Sequence, residues 1–311
     1  MTRNVAASVH QRLLNLSRAQ GRPFNELLQY YALERFLYRL GDSSYRDHFV
    51  LKGALMFTVW ETLFPRSTRD IDLLGHLDNT PERIVAALDE ICHRPVTDDG
   101  LRFAAETLMG ERIIQGADYE GVRVRFMAYL GLVRIPMQID VGFGDLVVPA
   151  PVPIRIPPLL DFSAPEILGY SRESAIAEKL QSMVRLGEIN SRMKDFFDIW
   201  LLAGRYHFDG TTLERALLET FRRRRTPLTS DPIAFRQTFT HNPDKQAQWE
   251  AFLRRNAIQG TEVPSLLSEA VALIAAFLLP VLRALIEGSV FNSHWSPGGP
   301  WAEEDSGPKE P

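Results

Sequence analysis

Five prolines fall between Val147 and Leu160 (Pro149, Pro151, Pro153, Pro157 and Pro158), and a stretch so short of backbone N–H donors cannot be a central strand or a helix. It has to be a connector or a sheet edge, so it divides the chain in two. Before it, from Leu101 to Phe143, apolar residues alternate with polar ones, as in Val122, Val124 and Phe126 around Arg123 and Arg125. After it, the apolar spacing is helical through Ser171–Leu186, Lys194–Ala203 and Thr211–Phe221, with caps expected at Ser171 and Thr211 and further helices ending near Glu287. The spacing therefore predicts a sheet-bearing domain over 1–160, a helical domain over 161–287, and a disordered Gly/Pro/Ser/acid-rich tail over 288–311.

The first domain opens with helical spacing through Val9, Leu13 and Leu16 and again from Phe24 to Leu40, which predicts two helices. His48 to Lys52 then reads as a strand, Gly53 as a turn, and Ala54 to Leu63 as a helix ended near Pro65. Asp70 to Leu74 reads as a second strand, and Asn79-Thr80-Pro81-Glu82 caps a helix running to about His93.

Composition excludes several classes. Hydrophobic residues make up 45% and charged residues 24% of the 311, values ordinary for a globular protein. A net charge of −4 argues against a whole-surface footprint for nucleic acid, so any such contact must use a local patch. The single cysteine, Cys92, permits neither a disulfide framework nor a cysteine zinc site, and lies on an amphipathic helix where a buried thiol is expected. The N-terminus lacks the pattern of a secretory signal. The apolar stretch Ala270–Leu282, interrupted by Pro280, is too short to span a bilayer and is expected to be a core helix. A cytoplasmic protein without membrane association is expected.

The chemistry concentrates in Asp70-Ile71-Asp72. Residues two apart on a strand project from one face, so two carboxylates share one volume, where a divalent cation would remove their repulsion. Magnesium is the natural ion, since it takes oxygen ligands from carboxylates and substrate phosphates. Taken alone, the triplet reads more readily as a solvated strand end. Asp140, on the predicted strand Met137–Val141, would add a third carboxylate, and Lys52-Gly53-Ala54 at a strand-to-helix turn could hold a triphosphate through backbone N–H groups and the lysine charge. On the helical side, Asp195 and Asp198 are three apart and share a face, with Lys179 on the preceding helix. They could line a cleft wall between the domains or form an ordinary interhelical ion pair.

The stretch FVLKGALMFTVWETLFPRSTRDIDLLG resembles the signature of the AbiEii/AbiGii group of nucleotidyltransferase toxins, which includes the MenT type. Its matching positions are Lys52, Gly53, Ala54, Arg66, Thr68, Asp70 and Asp72; IDVGFGD resembles the third acidic strand, with Asp140. AIAEKLQSMVRLGEINSRMKDFFDIWLL resembles the helical motif, with Glu178, Lys179, Arg192, Lys194, Asp195 and Asp198. The resemblance runs in order over about residues 45 to 205 and departs at Ala54, where relatives often carry glycine or serine.

The resemblance implies an α/β fold, a polymerase-beta-like nucleotidyltransferase core with a mixed sheet followed by a helical C-terminal domain that completes the cleft. It implies Mg²⁺-dependent transfer of nucleotides from an NTP onto an RNA acceptor such as the tRNA 3′ end, by a toxin with a cognate antitoxin encoded nearby. Asp70, Asp72 and Asp140 would hold metal, with Asp140 as third ligand or acceptor base. Lys52, Gly53, Ala54, Arg66, Thr68 and Lys179 would bind the nucleotide, with Asp195 or Asp198 orienting Lys179. Two other readings stand beside this one: a protein-modifying nucleotidyl- or phosphotransferase, and a non-catalytic relative that binds a partner. Arg222 to Arg225 end a predicted helix, where they complement the helix dipole or face RNA; Arg123 and Arg125 are expected to face solvent rather than the cleft. The seven histidines show no metal-ligand spacing.

Overall fold

The computed structural model describes residues 4–60, 68–114, 120–256 and 263–303. The chain forms two compact units, one of residues 1–145 and 151–170, the other of 146–150 and 171–311. The fold is mixed α/β.

In the first unit, helices α1 (Val5–Gln20) and α2 (Phe24–Gly41) lead into β1 (Phe49–Lys52), a short helix α3 (Phe57–Trp60), β2 (Ile71–Gly75) and α4 (Pro81–Cys92). The strands β3 (Leu101–Ile114), β4 (Glu120–Leu130) and β5 (Val133–Phe143) follow, then β6 (Val152–Arg155) and β7 (Glu166–Gly169). They make one seven-stranded mixed sheet in the order β3-β4-β5-β2-β1-β7-β6. The proline-rich segment supplies β6 at the outer end of this sheet, where a missing donor faces no partner strand. The unit continues past residue 160 to Tyr170 because β7 pairs in parallel with β1 through Val50↔Leu168 and Leu51↔Gly169.

Helix α2 is the hub of this unit. Leu27, Tyr31, Phe36 and Leu40 are buried, and Phe36 meets Phe103 and Phe126 with ring centroids 5.7 Å away. Three of its charged residues, Glu34, Arg35 and Arg39, are buried as well, a cost offset by the ion pairs Glu34–Arg35 and Arg39–Asp99. Arg39 grips both oxygens of Asp99 at 2.7 and 3.0 Å, and the Tyr31 hydroxyl donates to the Asp99 carbonyl at 2.8 Å.

The second unit holds α5 (Arg172–Leu186), α6 (Met193–Arg205), a two-residue strand β8 (Phe208–Asp209), α7 (Gly210–Arg223), α8 (Gln237–Thr240), α9 (Pro243–Arg255) and α10 (Leu267–Glu287). Ser171 caps α5 as the sequence predicts, but α7 is capped by Asp209, which accepts from the Thr212 N–H, while the expected cap Thr211 only donates its hydroxyl to Asp209. Helix α10 extends beyond the expected Ala270–Leu282 and runs unbroken through Pro280. By length and composition it could cross a membrane, yet Leu267, Val271, Ile274, Phe277, Leu278, Val281 and Leu282 form a buried stripe at helical spacing, packed on α6 and α7. It serves as the core helix of this unit.

The expected disordered tail is corrected over residues 288–303. Strands β9 (Ser293–Trp295) and β10 (Trp301–Glu303) join β8 in a three-stranded sheet. Trp301 stacks on Phe277 at 5.5 Å and donates its indole N–H to the Phe277 carbonyl, and Trp295 donates to the Ala203 carbonyl at 2.7 Å. Gly299, at φ +81°, lies so close to the Trp295 ring that a Cβ would sit 2.4 Å from it. Composition misleads here because a few large aromatics outweigh many small polar residues in buried area.

Trp295, only 1% exposed, ties this hairpin to the helices. Trp295→Ala is expected to cost about 3–5 kcal/mol, read as a lowered urea midpoint; a loss typical of surface positions would show that the hairpin lies outside the cooperative core.

Candidate functional site

The sheet register assembles the site. Lys52 on β1 pairs with Asp72 on β2, Asp72 pairs with Asp140 on β5, Asp140 pairs with Arg123 on β4, and Arg123 pairs with Glu111 on β3. Directly paired residues share a face, so five charged side chains cross the sheet in one row, flanked by buried Ile71, Leu73, Ile139, Val141, Val122 and Val124 of the opposite face. Asp70 enters the same face two residues before Asp72. One carboxylate oxygen from each of Asp70, Asp72 and Asp140 lies within 4.8 Å of the others, with Asp140 buried and the other two partly exposed.

Three carboxylates this close repel unless something positive is near. Arg123 answers part of that charge: its Nε and Nη2 donate to the two Asp140 oxygens at 2.7 and 2.6 Å. The hydrogen bonds it donates to Asp140 raise the Arg123 pKa, holding the guanidinium charged. Arg123 was expected to face solvent; pairing with the buried Asp140 turns it inward, whereas Arg125 stays exposed and pairs with Glu111 at 2.6 Å. Thr68 donates its hydroxyl to Asp70 Oδ1 at 2.6 Å.

Lys52 Nζ lies 3.1 Å from Asp145 Oδ2 and 5.7 Å from the centre of the Tyr170 ring. Asp145 and Arg123 escape sequence reasoning as site residues, although Asp145 closes the IDVGFGD block and Arg123 stands in alternation with apolar neighbours. Gly53 has φ +74°, and a Cβ there would lie 2.0 Å from Asp72 Oδ2. The glycine is therefore needed twice, for its backbone conformation and for room beside the carboxylate. The helix expected from Ala54 begins as a 3₁₀ turn, Gly53–Met56, that buries Ala54 before α3. Arg66 lies outside the described residues.

In the helical unit, Lys179 on α5 meets both aspartates of α6, at 3.1 Å from Asp195 Oδ1 and 2.7 Å from Asp198 Oδ2. Arg192 adds a 2.6 Å bond to Asp195 Oδ2. Asp195 and Asp198 are buried, so the pair is not a solvated surface bridge. Burial pushes the Asp195 carboxyl up, but Lys179, then Arg192 and Lys194, outweigh it and hold it below the ordinary 3.8. Arg224, just past the end of α7, bonds Glu178 of the same motif at 3.1 Å. Cys92 is a buried thiol that desolvation pushes up to about 12, as a structural cysteine should be.

Three carboxylate oxygens in one small volume are a donor set for a hard divalent cation. Gly53→Ala is expected to turn Asp72 away and weaken Mn²⁺ binding at least tenfold by calorimetry, the equivalent of ~1.4 kcal/mol; unchanged affinity would remove Asp72 from the ligand set. Lys179→Met leaves two buried carboxylates without their ammonium, at a cost of about 3–5 kcal/mol. With the Asp195 pKa depressed, the wild-type pair stabilises the fold above the unfolded carboxylate pKa and loses that stability as pH falls through the lower folded value. In Lys179→Met the Asp195 carboxyl loses the largest of the charges that hold it down, so the variant's deficit against wild type should be greatest at pH 7 and shrink as pH falls; a variant as stable as wild type at pH 7 contradicts this account.

Two solved structures from H. pylori resemble this chain. One, assigned as a nucleotidyltransferase, is 15% identical over 85% of this chain and 97% of its own, with a TM-score of 0.45. The other, JHP933, is 14% identical over 82% of this chain and 90% of its own, with a TM-score of 0.43. No curated protein matches the sequence. Residues 35–269, more than half of the chain, match the family described as nucleotidyl transferase AbiEii toxin, type IV toxin–antitoxin system. The chain thus belongs to the AbiEii family of toxin nucleotidyltransferases.

Proposed function

We propose that this enzyme transfers a nucleotide from an NTP onto an RNA acceptor, the tRNA 3′ end being the expected one, with Mg²⁺ held by Asp70, Asp72 and Asp140. The observation that carries the reading is the convergence of these three carboxylates beside Lys52 in one charged row. When bound, Mg²⁺ would neutralise triphosphate charge and polarise the reacting phosphate.

The chain's own residues hold the participants in place. Thr68 orients Asp70, Arg123 orients Asp140 as a third ligand, and the absent side chain of Gly53 leaves Asp72 Oδ2 its position. Lys52 supplies positive charge for the phosphates, anchored by Asp145. Gly53 and Ala54 are read as the backbone approach to the triphosphate, and Arg66 and Lys179 as further phosphate contacts, Lys179 being oriented by Asp195 and Asp198. The acceptor hydroxyl oxygen attacks the α-phosphorus and its proton passes to solvent; the new phosphodiester forms as the bond between the α-phosphorus and its bridging oxygen breaks, and pyrophosphate leaves; positioning and charge stabilisation supply the acceleration. As a family toxin it acts where NTP and tRNA are, in the cytoplasm, restrained by its antitoxin.

The test incubates purified protein with Mg²⁺, each α-labelled NTP in turn, and total tRNA or lysate, alongside Asp72→Asn. Label on tRNA is expected with one preferred nucleotide, reduced by 10³-fold or more, about 4 kcal/mol of barrier, in the variant. Label on protein would replace this reading with protein modification; full activity in Asp72→Asn would overturn the site.

A further inference from the structure

The end of α7 carries four consecutive arginines, Arg222 to Arg225. One of them is an anchor. Arg224 spans to α5, bonding Glu178 Oε2 and Gln181 Oε1, each at 3.1 Å. The turn that follows is pinned to the same helix, because Gln181 also donates to the Thr226 hydroxyl at 2.7 Å. The other three, Arg222, Arg223 and Arg225, are exposed and have no ion-pair partner among the described residues.

Helix capping explains only part of this. One or two cations in a last turn gain about 0.3–1 kcal/mol each from the helix dipole, whereas four adjacent guanidiniums also repel one another. Arg225 adds a second cost: at φ +46° it is the one non-glycine residue with positive φ among the described residues. It occupies the left-handed position just past the helix, with the Thr226 N–H closing onto the Phe221 carbonyl at 2.9 Å, a turn that ordinarily takes glycine. The chain thus keeps a charged side chain where glycine would be more stable, which is what an external ligand for that charge would require. Arg185, exposed and one turn beyond Gln181 on α5, extends the same face.

We infer that Arg222, Arg223 and Arg225, organised by the Arg224 anchor, are a docking patch for the phosphodiester backbone of the RNA acceptor. The inference rests on the proposed RNA-directed activity. A net charge of −4 supplies no overall attraction to RNA, so attraction must come from a concentrated patch of fork-shaped donors matched to phosphate oxygens.

The test measures binding of fluorescently labelled bulk tRNA to the full chain, by anisotropy across a KCl series without NTP. The variants are Arg222→Gln/Arg223→Gln/Arg225→Gly and the corresponding triple lysine variant. Each lost phosphate contact lowers the slope of log affinity against log salt by about 0.7–0.9. The glutamine/glycine variant should therefore lose about 2–3 in slope and on the order of a hundredfold in affinity at 0.1 M salt. The lysine variant should keep most of the slope, and Arg225→Gly alone should raise the thermal midpoint while weakening tRNA binding. Wild-type slope and affinity in the glutamine/glycine variant would reduce the arginines to a helix cap and leave the RNA reading intact. A wild type that binds nucleotide but no tRNA would overturn the RNA reading and the patch together.

Discussion

The first unit depends on the repulsion among three carboxylates and on how the sheet tolerates it. Asp70, Asp72 and Asp140 converge because β2 and β5 run parallel in a register that pairs Asp72 with Asp140. A slip of one residue would turn Asp72 into the apolar face and put Ile71 or Leu73 among the charges. The register is specified strongly because the other face is packed: Ile71, Leu73, Ile139 and Val141 are fully buried. Hydrophobic alternation thus fixes an electrostatic arrangement that would be unfavourable by itself.

The row is completed by cations at both flanks. Lys52 stands on one side of the pair and Arg123 on the other, so the charges read minus, plus, minus, minus, plus from Glu111 to Lys52. Such an arrangement aims the carboxylates while leaving a region of excess negative charge between Asp70 and Asp72, where a cation gains most. The same logic recurs in the helical unit, where Lys179 and Arg192 together offset two buried aspartates. There the charges satisfy one another closely, and the arrangement is as much a constraint on the packing of α5 against α6 as a chemical group.

Much of the candidate site is legible in the residues. Asp70 and Asp72 declare themselves by spacing, Asp140 by its place on an apolar strand, and Lys179 with Asp195 and Asp198 by helical periodicity. Arg123 was not legible, because an arginine alternating with valines fits a solvated strand face equally well until a partner strand is known. Asp145 was missed because its partner, Lys52, is distant in the chain. The ordered hairpin after Gly288 was missed because its strands are three residues long, too short for any period to show.

By itself, the sequence determined what is local: the helical and strand periods, the proline-rich edge, the caps at Thr80 and Ser171, the glycine at position 53, and the charged residues available for chemistry. These follow from backbone sterics and from the two-residue and 3.6-residue repeats, which act over a few neighbours. Only the tertiary structure decided which strands are adjacent, and therefore that Asp140 lies beside Asp72, that Arg123 belongs to Asp140, and that Trp295 and Trp301 close over Phe277. Those pairings bring together residues far apart in the chain, and their stability comes from burial and charge compensation that exist only once the sheet and the helices have packed.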